Sequence, residues 1–266
     1  MSLLRRLAAA PGNWSWLGFA YAAFAFYLLS PLVIVVVMSL KDGMFMGFPI
    51  NAWTTRWYAE ALADREFLDA LFLSTWIAVV ATLGATVIGI WAAVALADRR
   101  MIAASAFFAL VCLPIVVPSV VQAISLRIFT RFLGIEQGAP AIVLAHTIHA
   151  VPFVALMVLT RLRAMPANLT DAARDLGADG FVAFVRVTLP FLRPALVGGT
   201  IFAMLTSFDD FVRATFLGSY APTLPVLIYQ RIHHGLSPQI AAISAMVLFV
   251  TVLLVLYAER TTRRMR

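Results

Sequence analysis

Two adjacent carboxylates, Asp209 and Asp210, interrupt a long apolar run, and a cation, Arg213, follows three residues later. An ionised acid inside a membrane span costs a few kcal/mol, so it normally faces a cavity or a partner. Neighbouring side chains on a helix point about 100° apart, so the two acids cannot serve one small site equally. Two arrangements fit the sequence. In one, one acid attracts a cationic solute while the other caps or orients the helix end. In the other, both sit at the outer interface, solvated or paired with Arg213. Ser207, Phe208 and Phe211 flank the pair and belong to the same candidate solute path, with Trp76 and Trp91 as further aromatic candidates. His146 and His149 are three apart and share a helix face. No carboxylate or thiolate lies near them in sequence, so polar packing inside a bundle is preferred to metal binding.

Other chemistry is missing from the chain. Lys41 is its one lysine, and there is no G-x-x-x-x-G-K-[ST] loop to cradle a nucleotide phosphate. Neither H-E-x-x-H nor G-x-S-x-G occurs. Cys112 is the single cysteine, which excludes an intramolecular disulfide and a thiolate cluster. The expectation is a protein with no catalytic residues, no metal and no cofactor of its own.

The segment Asp171–Pro190, DAARDLGADGFVAFVRVTLP, is charged and punctuated by Gly and Pro within an otherwise apolar chain. Its pattern predicts a short helix at Asp171–Leu176, a break at Gly177, a second helix from about Gly180 to Val187, and a stop at Pro190. Glycine suits the left-handed turn that ends a helix, and Asp179 can cap the next one. A compact pair of helices between two spans makes a rigid knob on which a partner can press.

The elements that position these residues follow from composition. The chain has 266 residues, 62% hydrophobic and 12% charged, with a mean hydropathy of +0.93. Soluble domains carry about 25% charged residues, so the solvent for most of this chain is lipid. Six apolar runs can be marked, at about Trp16–Met38, Phe67–Leu96, Ile102–Leu126, Ala139–Leu159, Pro194–Leu217 and Ile240–Ala258. Backbone polar groups in lipid must be satisfied internally, which makes these runs helices. Pro114 and Pro118 predict a kink in the third; it reads equally as a bent helix lining a gated pathway or as a static bend. Trp53, Trp57 and Tyr58 suit an interfacial belt along the segment Lys41–Glu66. With both termini inside, 13 of the 20 basic residues, including Arg174 and Arg186, fall on the cytoplasmic side. This bias accounts for the net charge of +7 and removes the need for a nucleic-acid partner.

Two motifs carry a resemblance. Asp171-Ala172-Ala173, Gly177, Val187 and Leu189-Pro190 stand at the spacing of the E-A-A loop of ABC importer permeases, with Asp for Glu and Val for Ile. Ser207 with Asp209-Asp210, then Leu224-Pro225, then Gly235 with Ser237-Pro238, are similar to the spermidine/putrescine (PotC-type) permease family. The resemblance implies an all-α polytopic membrane protein with six transmembrane helices, the type I ABC importer permease fold. Residues 1–266 would form a single permease domain, with cytoplasmic tails at 1–13 and 259–266 and a cytoplasmic coupling loop at 160–193. Within that loop Asp171, Ala172, Ala173, Asp175, Gly177, Leu189 and Pro190 would meet the ATPase. Implied partners are a second, homologous permease, two ATPase subunits that bind ATP and Mg, and a periplasmic solute-binding protein. The implied location is the bacterial inner membrane, and the implied action is alternating access. The implied solute is a polyamine or related small cation. An opine, an amino acid derivative, thiamine or a phosphonate remain open, as does an ion-gradient-driven carrier.

Overall fold

The computed structural model describes residues 16–43, 46–98, 103–166 and 168–264. The expected N-terminal tail 1–13 and the turn residues Arg99 and Arg100 lie outside the described residues. Two compact units are distinguished. One comprises the described residues up to Ala63 together with Gly235–Val247; the other comprises Asp64–His234 and the described residues from Leu248 on.

In the first unit, helix α1 (Trp16–Ser39) is apolar all round and exposed along most of its length. Lipid is the medium such a surface requires. An isolated antiparallel bridge joins Lys41 and Trp53, and α2 (Arg56–Ala63) follows. Tyr58 shares a 2.6 Å hydrogen bond with Ser39, and Trp57 donates its indole N–H to the Lys41 carbonyl at 2.8 Å. Trp53 is exposed as an interfacial ring should be, but Trp57 is buried. Its one polar atom is satisfied by that carbonyl, which is why the ring can leave the interface.

The second unit is built on three long helices: α3 (Arg65–Ala97), α6 (Ala139–Arg163) and α9 (Leu189–Phe208). Their seam is made of small residues. Ala81, Ala85 and Ala93 of α3 and Ala145, Ala150 and Ala155 of α6 are almost fully buried. Between them, a Cβ on Gly89 would stand 2.8 Å from Val154 Cβ. With lipid outside, helices gain little from hydrophobic exclusion, and close backbone approach through small residues supplies the packing.

The third apolar run is broken rather than kinked. Helices α4 (Ala104–Val116) and α5 (Ser119–Phe132) meet at 106°. Val117 is extended because Pro118 follows it, and Pro118 then starts α5. The fifth run also differs from expectation. A short helix α7 (Asn168–Asp175) is followed by α8 (Gly180–Ala183), a π-helical turn Phe184–Thr188, and then α9, so the helix runs unbroken through Pro190 to Phe208. The wider turn, in which Leu189 N–H bonds to Phe184 O, absorbs a proline that would otherwise clash with a carbonyl four residues back. The helix therefore begins before the expected start at Pro194 and does not stop at Pro190.

After α9 come α10 (Phe211–Leu217), α11 (Leu224–His233) and α12 (Pro238–Arg264). Among the described residues, five helices have the length and apolarity to cross a membrane, or six crossings if the bent pair α4–α5 is one of them.

Candidate functional site

The acid pair sits at a break. Helix α9 ends at Phe208, Asp209 is its C-cap, and Asp210 is the N-cap of α10. Asp210 Oδ1 accepts the Arg213 backbone N–H at 2.9 Å, which satisfies one of the orphan donors of a helix start. Asp210 Oδ2 pairs with the Arg213 guanidinium, one turn on. Both side chains are about 5% exposed, so this is a buried ion pair and not a solvated one. An ion pair taken out of water is favourable only if its remaining hydrogen-bonding capacity is met. Here Gln122 of α5 accepts from Arg213 Nε at 2.8 Å and from Nη2 at 2.5 Å, while His149 Nδ1 of α6 accepts from Nη2 at 2.9 Å. His146, one turn before His149, shares a 2.8 Å hydrogen bond with Ser207 through Nδ1. Its Nε2 lies 3.8 Å from Asp210 Oδ2 and is left without a hydrogen bond.

Asp209 is different. It is exposed, and no cation pairs with it among the described residues. It opens onto a cleft of about 460 Å³ lined also by Ser119, His149, Thr206, Asp210, Phe211 and Arg213. The 106° bend before α5 places Ser119 and Gln122 within reach of α10. Arg127 reinforces this by donating to the Phe216 carbonyl at 2.8 Å, and Gly138 N–H bonds Leu217 O at 2.7 Å from the start of α6.

Helix α11 is fastened to the same unit. The Phe211 ring packs on Tyr229 at 4.6 Å between centroids, and Tyr229 on His233 at 4.4 Å. Ser74 Oγ of α3 accepts the Leu224 N–H at 2.7 Å. Arg231 bridges Asp64 at 2.6 Å and Glu66 at 2.7 Å at the start of α3. The hydrogen bond from Arg231 holds the Asp64 carboxyl below its ordinary pKa.

At α7, Asp171, Ala172, Asp175 and Gly177 are exposed and Ala173 is half-buried. Gly177 has φ of +85°. Its N–H bonds Arg174 O at 2.8 Å and the Ala178 N–H bonds Ala173 O at 3.0 Å, the double closure of a Schellman turn. Asp179 then accepts the Val182 N–H at 2.7 Å as the next N-cap. Leu176 is 89% exposed and Phe181 74% exposed, an apolar tip without cover among the described residues. Leu189 and Pro190 stand away from that tip, within the long helix.

The profile of the family described as binding-protein-dependent transport system inner membrane component matches residues 85–265. The chain belongs to this family. The putrescine transport system permease protein PotI of Escherichia coli (strain K12) is 33% identical over 230 residues, covering 84% of this chain and 82% of PotI. The spermidine/putrescine transport system permease protein PotC of the same organism is 31% identical over 247 residues, covering 92% of this chain and 93% of PotC. A solved bacterial ABC transporter involved in import of the acidic polysaccharide alginate superposes with a TM-score of 0.73 at 16% identity, covering 91% of this chain and 94% of that one. The MetNI methionine ABC transporter gives 0.62 at 24% identity, covering 73% and 94%. At such identities the likeness shows the fold.

The expected all-α polytopic permease fold is therefore the fold of this inner membrane component. Within it, the sequence-predicted path residues Ser207, Asp209, Asp210 and Phe211 do meet at one break, while Trp76 and Trp91 lie exposed on α3. Trp91 stacks on Phe184 at 6.0 Å. Gln122 is not among the sequence-predicted path residues. A lone amide in an otherwise apolar stretch was the available signal, since such a group needs an internal partner.

Proposed function

We propose that this chain is the permease half of an ATP-driven importer that carries a polyamine or related small cationic solute across the bacterial inner membrane by alternating access. The names of its relatives PotI and PotC supply the solute class. The observation that carries the reading here is the cleft at the α9–α10 break, where a carboxylate unpaired among the described residues, Asp209, faces open space beside an aromatic ring. Ser207, Phe208, Asp210 and Phe211 shape the same part of the path.

In this reading residues 1–266 act as one permease domain with both termini cytoplasmic. A second homologous permease, two ATPase subunits and a periplasmic solute-binding protein complete the assembly. ATP and Mg belong to the ATPases, and this chain holds no cofactor. The α7 knob is the coupling element. Ala172 and Ala173 allow close approach to a groove, Asp171 and Asp175 offer charge, and Gly177 sets the turn. Leu189 and Pro190 pass the displacement into the long helix through the π turn. Purification from the native membrane in mild detergent tests the assembly. An ATPase subunit must accompany this chain, and vesicles of the purified complex must take up putrescine only with ATP. Uptake driven by an ion gradient without ATP would favour a secondary carrier instead.

A further inference from the structure

We propose that Arg213 sets the charge of the cleft and so limits it to a solute that presents one positive group at a time. This rests on the cationic-solute reading above and specifies it. The cleft region holds two acids and one guanidinium. Asp210 is already engaged: its carboxylate caps α10 and pairs with Arg213, and its side chain is 5% exposed. Arg213 is in turn committed on its far side. Nε and Nη2 both donate to Gln122, and Nη2 also to His149. A guanidinium held by this many directed bonds is not free to swing toward Asp209 or toward a solute anion.

Asp210 and Arg213 both line the cleft with opposite charges, which leaves Asp209, exposed and unpaired among the described residues, as the charge that is not cancelled. Thr206 donates its hydroxyl proton to the Phe202 carbonyl at 3.0 Å, which leaves its oxygen as an acceptor. Phe211 adds an aromatic ring. A carboxylate, an acceptor oxygen and a ring together suit one ammonium group. They provide no second counter-charge, because the acid that would serve is already neutralised. A diamine is then held by one end only. Arg213 is thus a specificity-determining residue that acts by cancelling the charge of Asp210.

The test uses Ser119→Cys, a reporter on the cleft wall, in a Cys112→Ala background of the full chain in lipid nanodiscs. Modification rates are measured with a cationic and an anionic methanethiosulfonate of similar size. A unit charge within several ångströms at an effective dielectric of about 20 changes such a rate ratio by about tenfold or more. Arg213→Gln should therefore raise the cation-to-anion ratio, Arg213→Lys should stay near the parent, and Asp210→Asn with Arg213 intact should lower it. The last variant serves if Arg213→Gln does not fold. A ratio unmoved in both neutralising variants overturns the proposal.

The same reporter reads occupancy. Putrescine and butylamine should protect the parent at similar concentrations, whereas in Arg213→Gln putrescine should protect at roughly tenfold lower concentration than butylamine. A shifted reagent ratio with equal protection by both amines overturns the specificity role. Protection by neither amine in any variant, with the ratio shifted as expected, upholds the charge assignment and counts against the cationic-solute reading.

Discussion

At the scale of single residues, the polar cluster and the small-residue seam have opposite tolerances. Arg213 neutralises a buried acid, so removing it alone leaves Asp210 uncompensated. Breaking such a pair from one side costs about 3–5 kcal/mol, whereas replacing both partners with apolar groups is often near neutral. Arg213→Met is expected to lower the thermal unfolding midpoint in detergent sharply, and Arg213→Met with Asp210→Leu to recover much of it. Equal losses would show that the pair does not act as a unit. On the seam, Gly89 has no room for a methyl, with Val154 Cβ at 2.8 Å and the Ala155 nitrogen at 3.2 Å from the added carbon. Gly198 has only Met157 Sδ at 3.8 Å. Gly89→Ala should cost about 1–3 kcal/mol by overpacking, and Gly198→Ala far less, by the same unfolding measurement.

Elements respond through their ends. The α7 knob closes on a left-handed residue with open space around it, so a side chain at Gly177 meets backbone strain and no clash. A β-branched residue there costs about 1–2 kcal/mol locally. Gly177→Val should leave membrane insertion and the helix seam intact while lowering ATP-dependent uptake. Normal uptake would count heavily against α7 as the coupling element. Helix α11 is tied to the start of α3 by Arg231 and Asp64, which gives the tie an acid dependence. The folded pKa of Asp64 is depressed, so its stabilisation is fully present above the unfolded value of about 3.9 and fades as pH falls through the folded value. Asp64→Asn should therefore flatten the acid limb of a stability–pH profile. A profile that is unchanged would remove Asp64 from that dependence.

For the whole molecule, parity is the sharpest question. Among the described residues five helices meet the length and apolarity of a span, and the bent α4–α5 pair decides whether there is a sixth crossing. With it, the chain ends on the side where it began. On that arrangement the excess of basic residues falls on the side of both termini, which would be the cytoplasm. A green fluorescent protein fused after Arg266 should then fluoresce, since it folds in the cytoplasm and not after export in unfolded form. A dark but membrane-inserted fusion would place the C-terminus outside and deny the bent pair its crossing.

Much of this was legible in the residues. The mean hydropathy, the apolar runs and the prohibition on unpaired backbone in lipid dictate membrane helices whatever their arrangement. The turn at Gly177 and the cap at Asp179 are local, set by φ preference and by a side chain reaching three residues ahead. Other features were not local. Two prolines announced a disturbance at 114–118; the extended Val117 before Pro118 makes it a break, and its 106° angle is a property of the folded chain that no local rule supplies. Pro190 announced a stop, yet a π turn let the helix continue, because a wider ring of hydrogen bonds can accommodate a missing donor. The Asp210–Arg213 spacing allowed a pair; whether it was solvated or buried depended on Gln122, 91 residues away in sequence, and on His149, 64 away. Composition and short-range spacing determine solvent, elements and caps. Which charge is cancelled and which is left to face the cleft is decided by partners that only the folded chain brings together.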